Sequence, residues 1–218
     1  MHPGVFCGSN AEIQVKRILI LGESHYWSEE KKDEDKFTFK VVETYLNKYN
    51  SKVRTEKDRS YRFFDNIVQS FGVDTDNRTD FWDCVWFGNY IDQPCGVRDS
   101  KATNLLKKTG KRKELNTQLF SFIKDQEIDV VICFSRKVYS KLPPLENGDS
   151  EEKGESSDTH RLDKCVYCPG ARAHIPVFLS KSVTIYGLKH PSQGFSYRRY
   201  QDLIAEIIKK EGLFNTTD

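Results

Sequence analysis

No apolar run in this 218-residue chain approaches the roughly 18–20 residues needed to cross a bilayer. The opening Met1-His2-Pro3-Gly4-Val5-Phe6-Cys7 has neither the basic nor the apolar stretch of a secretory leader. Both absences lead to the expectation of a soluble, intracellular (cytoplasmic) protein with no membrane partner. Net charge is scarce as well: 34 Lys+Arg against 32 Asp+Glu leave +2 at pH 7. Such a balance does not by itself announce a nucleic-acid binder. No internal repeat is visible, which argues against a solenoid. What is present is a supply of core residues, with 37% hydrophobic and 12% aromatic side chains. That composition excludes wholesale disorder. The length suits one domain spanning residues 1–218, expected to be a monomer.

A second pair of metal-spaced cysteines is missing too. Cys7, Cys84, Cys95, Cys133, Cys165 and Cys168 are scattered, and reduced thiols are the default in a chain without export signals. Cys133 sits in an apolar run and reads as a small buried hydrophobe. Only Cys165-Val166-Tyr167-Cys168 has ligand-like spacing, and a structural zinc site needs four ligands. His160 and His174 are near but fit no common finger spacing. The expectation is no metal and no cofactor.

Four short apolar runs read as strands buried on both faces: Arg17 to Leu21, a stretch within Phe81 to Ile91, Ile128 to Phe134, and Val183 to Lys189. The first ends at Gly22. Helical periodicity marks Phe39 to Tyr49, Tyr61 to Phe71, Leu115 to Gln126, Arg136 to Leu142 and Tyr197 to Lys210. Alternation of strands and helices predicts an α/β fold with a central parallel sheet between two helical layers. Residues 143–164 open with Pro143-Pro144 and have no hydrophobic period, so they read as a mobile acidic surface insertion. Residues 29–36 form a second solvated charge run.

Ligands of open parallel sheets bind beyond the carboxyl ends of the strands. Gly22-Glu23-Ser24-His25-Tyr26-Trp27 follows the first strand, Asn89-Tyr90 lies late in the second, and His190-Pro191-Ser192-Gln193-Gly194-Phe195 follows the fourth. A carboxylate, an amide and an imidazole therefore converge on one sheet edge. Each has a bland reading. Glu23 could cap a turn, Asn89 could satisfy backbone at an irregular strand end, and His190-Pro191-Ser192 could open a helix with Ser196 as its N-cap. Taken together, three such groups at one edge favour a functional site.

The pair G-E-S-H-Y and H-P-S, each after a strand, resembles the two active-site motifs of the uracil-DNA glycosylase superfamily. Their forms there include G-Q-D-P-Y-H or G-E-A-P-G for the first and H-P-S for the second. The resemblance covers about residues 17–210 and implies a three-layer α/β/α fold with a central four-stranded parallel sheet. It implies that Glu23 is the catalytic carboxylate, stabilising the cationic sugar and activating water. His190 would hydrogen-bond the departing base where negative charge gathers, and Asn89 would read its edge with one donor and one acceptor. Tyr26 would wall the pocket against a 5-substituent. Ser24 stands where the Q-D-P-Y-H form has its Asp, so that form of catalysis is absent here. His25 replaces the motif proline and either assists catalysis or bonds to backbone. Trp27, Phe37 and Phe39 are candidates to stack on a flipped base or to fill the core. The family's iron–sulfur cysteine pattern is not reproduced.

In the family the loop after H-P-S carries an apolar wedge that fills the gap left by an extruded base. Here that loop runs through Ser192, Gln193, Gly194 and Phe195 to Arg198 and Arg199. Phe195 is either the wedge or a hydrophobic staple for the helix that follows. Arg198 and Arg199 could hold phosphates, as could Lys107 and Lys108 in the basic 107–113 cluster, which is otherwise a solvated loop.

The implied activity is that of a monofunctional DNA glycosylase releasing uracil or another modified or damaged base from flipped-out DNA. Two alternatives stand beside it: a non-catalytic sensor of modified DNA with the same fold, and a Gly-Glu-x-His hydrolase resembling the erythromycin-esterase type. The second leaves Asn89 and His190 unexplained. Charge then reads differently from its total. Residues 143–164 hold seven acids and three bases, residues 29–36 five acids and three bases, and the remaining framework carries +8.

Overall fold

A computed structural model describes residues 4–27, 37–50, 61–96, 107–143, 146–147, 166–173, 183–191 and 195–214. Within these, residues 25–27, 37, 48–50, 93–96, 146–147 and 166–173 are described by their backbone alone. The strands are β1 (Val5–Cys7), β2 (Ile18–Trp27), β3 (Trp86–Gly96), β4 (Val130–Cys133), β5 (Glu146–Asn147), β6 (Val166–Ala173) and β7 (Val183–Leu188). The helices are α1 (Phe37–Asn50), α2 (Arg62–Ser70), α3 (Arg78–Asp83), α4 (Thr109–Asp125), α5 (Arg136–Tyr139) and α6 (Tyr197–Glu211).

The class is α/β, with helices on both faces of one mixed sheet of order β1-β3-β2-β4-β7-β6-β5. It is larger than the four strands expected. β3, β2, β4 and β7 pair in parallel, while β1, β6 and β5 join antiparallel at the two margins. The extra strands escape a hydrophobicity search because β1 and β5 are very short. β6 carries Pro169 and Gly170, and its pairing with β7 shifts register twice.

Alternation along the parallel strands divides the core. Ile18 and Ile20 join α1, α2, α3 and α6 on one face, through Tyr45, Phe64, Trp82 and Ile204 among others. Leu19 and Leu21 join α4 and α5 on the other, through Leu119, Ile123 and Val138. Strands apolar on both sides are what a sheet covered twice requires.

Two boundaries depart from expectation. β2 does not end at Gly22 but continues to Trp27, because β3 offers a parallel partner that far: Gly22 pairs Asn89, Ser24 pairs Ile91 and Tyr26 pairs Cys95. Phe81 and Trp82 belong to α3 rather than to a strand, and β3 starts only at Trp86. Of the 143–164 insertion, Glu146 and Asn147 pair with Arg172 and Ala171 of β6. Most of its remainder, and all of the 29–36 run, lie outside the described residues.

The parallel strands place β2 at a reversal. The chain moves from β2 to β3 on one side and then returns to β4 on the other. Helices α1 to α3 cover one face during the first move, and α4 covers the opposite face during the second. Right-handed crossovers demand that change of face when direction reverses. The crevice between the carboxyl ends of β2 and β4 is therefore the topological switch point, where α/β sheets bind ligands.

Candidate functional site

Glu23 lies at that switch point. It is 4% exposed, and its carboxylate Oε2 accepts a 2.9 Å hydrogen bond from the Ser135 hydroxyl. Ser135 follows β4 and is the N-cap of α5, where its oxygen accepts from the Val138 N–H at 3.2 Å. A serine has one hydroxyl proton, and with its lone pair committed to Val138 that proton goes to Glu23. Oε1 faces the Lys137 ammonium at 3.9 Å, whose side chain is half exposed. The buried carboxylate is thus held at one oxygen and attended by a solvated cation at the other.

Beneath it, burial pushes the Cys133 thiol up to about 12; the backbone of Ser135 opposes that shift and the charge of Glu23 adds to it. Cys133 is the small buried hydrophobe the sequence suggests.

The opposite face of β2 carries a different chemistry. The side chain of Asn89 lies across Gly22, so close that a Cβ on residue 22 would sit 2.3 Å from Oδ1. A side chain at position 22 would have to displace the Asn89 amide, so the close approach, not a turn, is what favours glycine there. The ring of Phe63, near the start of α2, lies over the same glycine, 3.5 Å from where its Cβ would be. Phe63 also meets the His190 imidazole, with ring centroids 5.2 Å apart and planes at 48°. One turn on, Asn66 Nδ2 donates to the Pro191 carbonyl at 3.2 Å and pins the segment after β7 to α2. Asn89 and His190, far apart in sequence, thereby share one aromatic wall.

By the alternation that turns Ile20 and Gly22 this way, Ser24 faces the same side. Its hydroxyl is buried and has no hydrogen-bond partner among the described residues. A buried hydroxyl left unpaired costs about 1–3 kcal/mol, which a polar ligand group would recover.

The site therefore straddles the sheet edge. Phe63, Asn89, Ser24 and His190 form an aromatic and polar half on the α2 side. Glu23, Ser135 and Lys137 form a charged half on the α5 side. The first half suits a planar heterocycle with donors and acceptors on its rim; the second suits a group that develops positive charge beside an anionic backbone.

Other expected residues fare unequally. His25, Tyr26 and Trp27 are in β2 by backbone, but their side chains lie outside the described residues, as does that of Phe37. Phe39 packs toward the core, its ring 6.0 Å from that of Phe6, rather than toward the site. Ser192, Gln193 and Gly194 lie outside the described residues. Phe195 stacks on Tyr200 with centroids 4.6 Å apart and planes at 7°, and approaches Phe134. Ser196 is the N-cap of α6, so residues 195 and 200 are its N′ and N4 positions and make a hydrophobic staple. In this structure Phe195 is not the free wedge. Arg198 and Arg199 are exposed in the first turn of α6, and Lys107 and Lys108 are exposed at the approach to α4.

Ser135, Lys137, Phe63 and Asn66 are site residues that the sequence reading passed over. Ser135 follows a strand just as Glu23 and His190 do, and the same rule applied to β4 would have found it. Phe63 and Asn66 carry no such signal, because they reach the site from a helix. Among the described residues no group of three or more His, Cys, Asp or Glu is placed to hold a metal ion. Neither a known family model nor a curated protein sequence matches the chain.

Proposed function

We propose that the protein is a DNA glycosylase of the uracil-DNA glycosylase-like type, hydrolysing the N-glycosidic bond of uracil or another modified base. The four parallel strands β3-β2-β4-β7 correspond in this reading to the central sheet of that fold. The observation that carries it is the meeting of Gly22, Asn89 and His190 at the ring of Phe63, with Glu23 buried beside Ser135 just past the end of β4.

In the proposed reaction a flipped base stacks on Phe63, and Asn89 reads its edge with an amide donor and acceptor. Tyr26 keeps its expected part as a wall against a 5-substituent. As the C1′–N bond lengthens, its electron pair moves to the base, where the His190 imidazole stabilises it by hydrogen bonding. Glu23 stabilises the positive charge on the sugar and accepts a proton from the water that attacks C1′. Ser135 holds Oε2, and the Lys137 ammonium stands 3.9 Å from Oε1.

The test is mass spectrometry of bases released from single- and double-stranded oligonucleotides containing uracil or other modified pyrimidines. Release of a free base is expected from at least one. Glu23→Gln and His190→Ala should each reduce it by about 100-fold or more. Wild-type rates in both variants would sink the site assignment, and no released base from any substrate would sink the activity.

A further inference from the structure

Resting on that glycosylase reading, we propose that the backbone of the bound DNA strand runs along a basic ridge built by α4 and α5, beginning at Lys137. Residues 107–113 hold five bases and no acid, and residues 134–143 hold Arg136, Lys137 and Lys141 and no acid. Glu114 is the first carboxylate beyond the α4 cluster, and its Oε1 is bound to Lys111 at 2.8 Å.

The two clusters form one surface. Asn116 of α4 donates from Nδ2 to the Lys141 carbonyl at 3.2 Å, and its Oδ1 accepts from the Tyr90 hydroxyl at 2.7 Å. These two bonds tie the second turn of α4 to the segment just after α5 and to Tyr90 of β3. At the other extreme, Lys137 stands 3.9 Å from Glu23, so the ridge reaches the charged half of the site. Placing the base against Phe63 on the opposite side of the sheet edge leaves its sugar and phosphates on this side.

Helix stability does not explain the charges at the start of α4. Cations in a first helical turn oppose the macrodipole and cost a few tenths of a kcal/mol each, and α4 has no acid there to offset them. Between the charges of the ridge, Val138 and Tyr139 are buried. Lys107, Lys108, Lys113, Arg136 and Lys137 are all exposed. Its chemistry matches a run of phosphodiesters.

The experiment measures binding of a fluorescent duplex carrying a tetrahydrofuran abasic analogue, which cannot be cleaved at a glycosidic bond, across a series of salt concentrations. Lys108→Ala/Lys113→Ala is compared with Lys209→Ala/Lys210→Ala, which removes the same charge from the far end of α6. Without two of its phosphate-binding ammonium groups, the ridge variant should lower the slope of log K against log salt by about 2 and weaken binding about tenfold or more. The control should match wild type. Equal losses of affinity in both variants, or none in either, would overturn the ridge. Ridge-dependent binding by a wild type that releases no base leaves the ridge standing and removes the glycosylase. Base release unaffected by the ridge variant, at substrate concentrations below KM, does the reverse.

Discussion

A single hydroxyl organises the charged half of the candidate site. Ser135 caps α5 and holds Glu23 with the same oxygen, so its loss would break a charged hydrogen bond and an N-cap together. Ser135→Ala should therefore lower stability by about 2–4 kcal/mol in urea unfolding. Ser135→Thr, which keeps the hydroxyl, should recover most of that. Equal stability of the alanine variant and wild type would show that Glu23 finds a replacement partner. Glu23 was legible from its position after an apolar run. Its partner was not, because a hydrogen bond between residues 112 apart in sequence leaves no local pattern. The advantage of glycine at position 22 is likewise a tertiary fact: the amide of an asparagine on the neighbouring strand lies where its Cβ would be.

At the scale of elements, α6 was the most legible part of the chain. Its apolar stripe of Tyr200, Leu203, Ile204 and Ile207 is buried as the period implies. Gly212 closes it in the left-handed region at φ 62°, with the Leu213 N–H bonded to the Ile208 carbonyl. Its other end decides between two readings of Phe195. As a staple, Phe195→Ala should cost about 1–2 kcal/mol and leave the ratio of single- to double-strand base release unchanged. Thermal melts and paired activity assays check both, and a loss confined to duplex substrate would restore the wedge. β2 shows why strand ends resist sequence reading. Glu23 to Trp27 are neither uniformly apolar nor alternating, and they extend only because β3 pairs with them. α3 shows the converse, since Phe81 and Trp82 are as apolar as any strand residue yet lie in a helical turn.

At the scale of the molecule, burial leaves a pH signature. Cys133 and the Tyr90 hydroxyl are both pushed up to about 12, chiefly by desolvation, and Cys7 to about 11. Their charged forms are disfavoured in the folded state, so the folded protein binds these protons more tightly than the unfolded chain. Stability from this source is present in full below about pH 9 and declines as pH rises toward 12. Melting temperatures should fall across that window while remaining flat, on this account, from pH 7 to 8. A melting temperature that holds to pH 11 would contradict the burial of these groups. No helix among the described residues is long and apolar enough to cross a membrane. What the sequence by itself determined is the α/β class, the parallel strands β2, β4 and β7, and the identity of Glu23, Asn89 and His190 as residues worth watching. These depend on runs and periods that a few neighbouring residues can express. Only the tertiary structure decided that β2 sits at the switch point, that Ser135 and Phe63 complete the site, and that its two halves lie on opposite sides of one strand. Those follow from which strands pair and in what order, and the energy of such pairing lies between segments far apart in the chain.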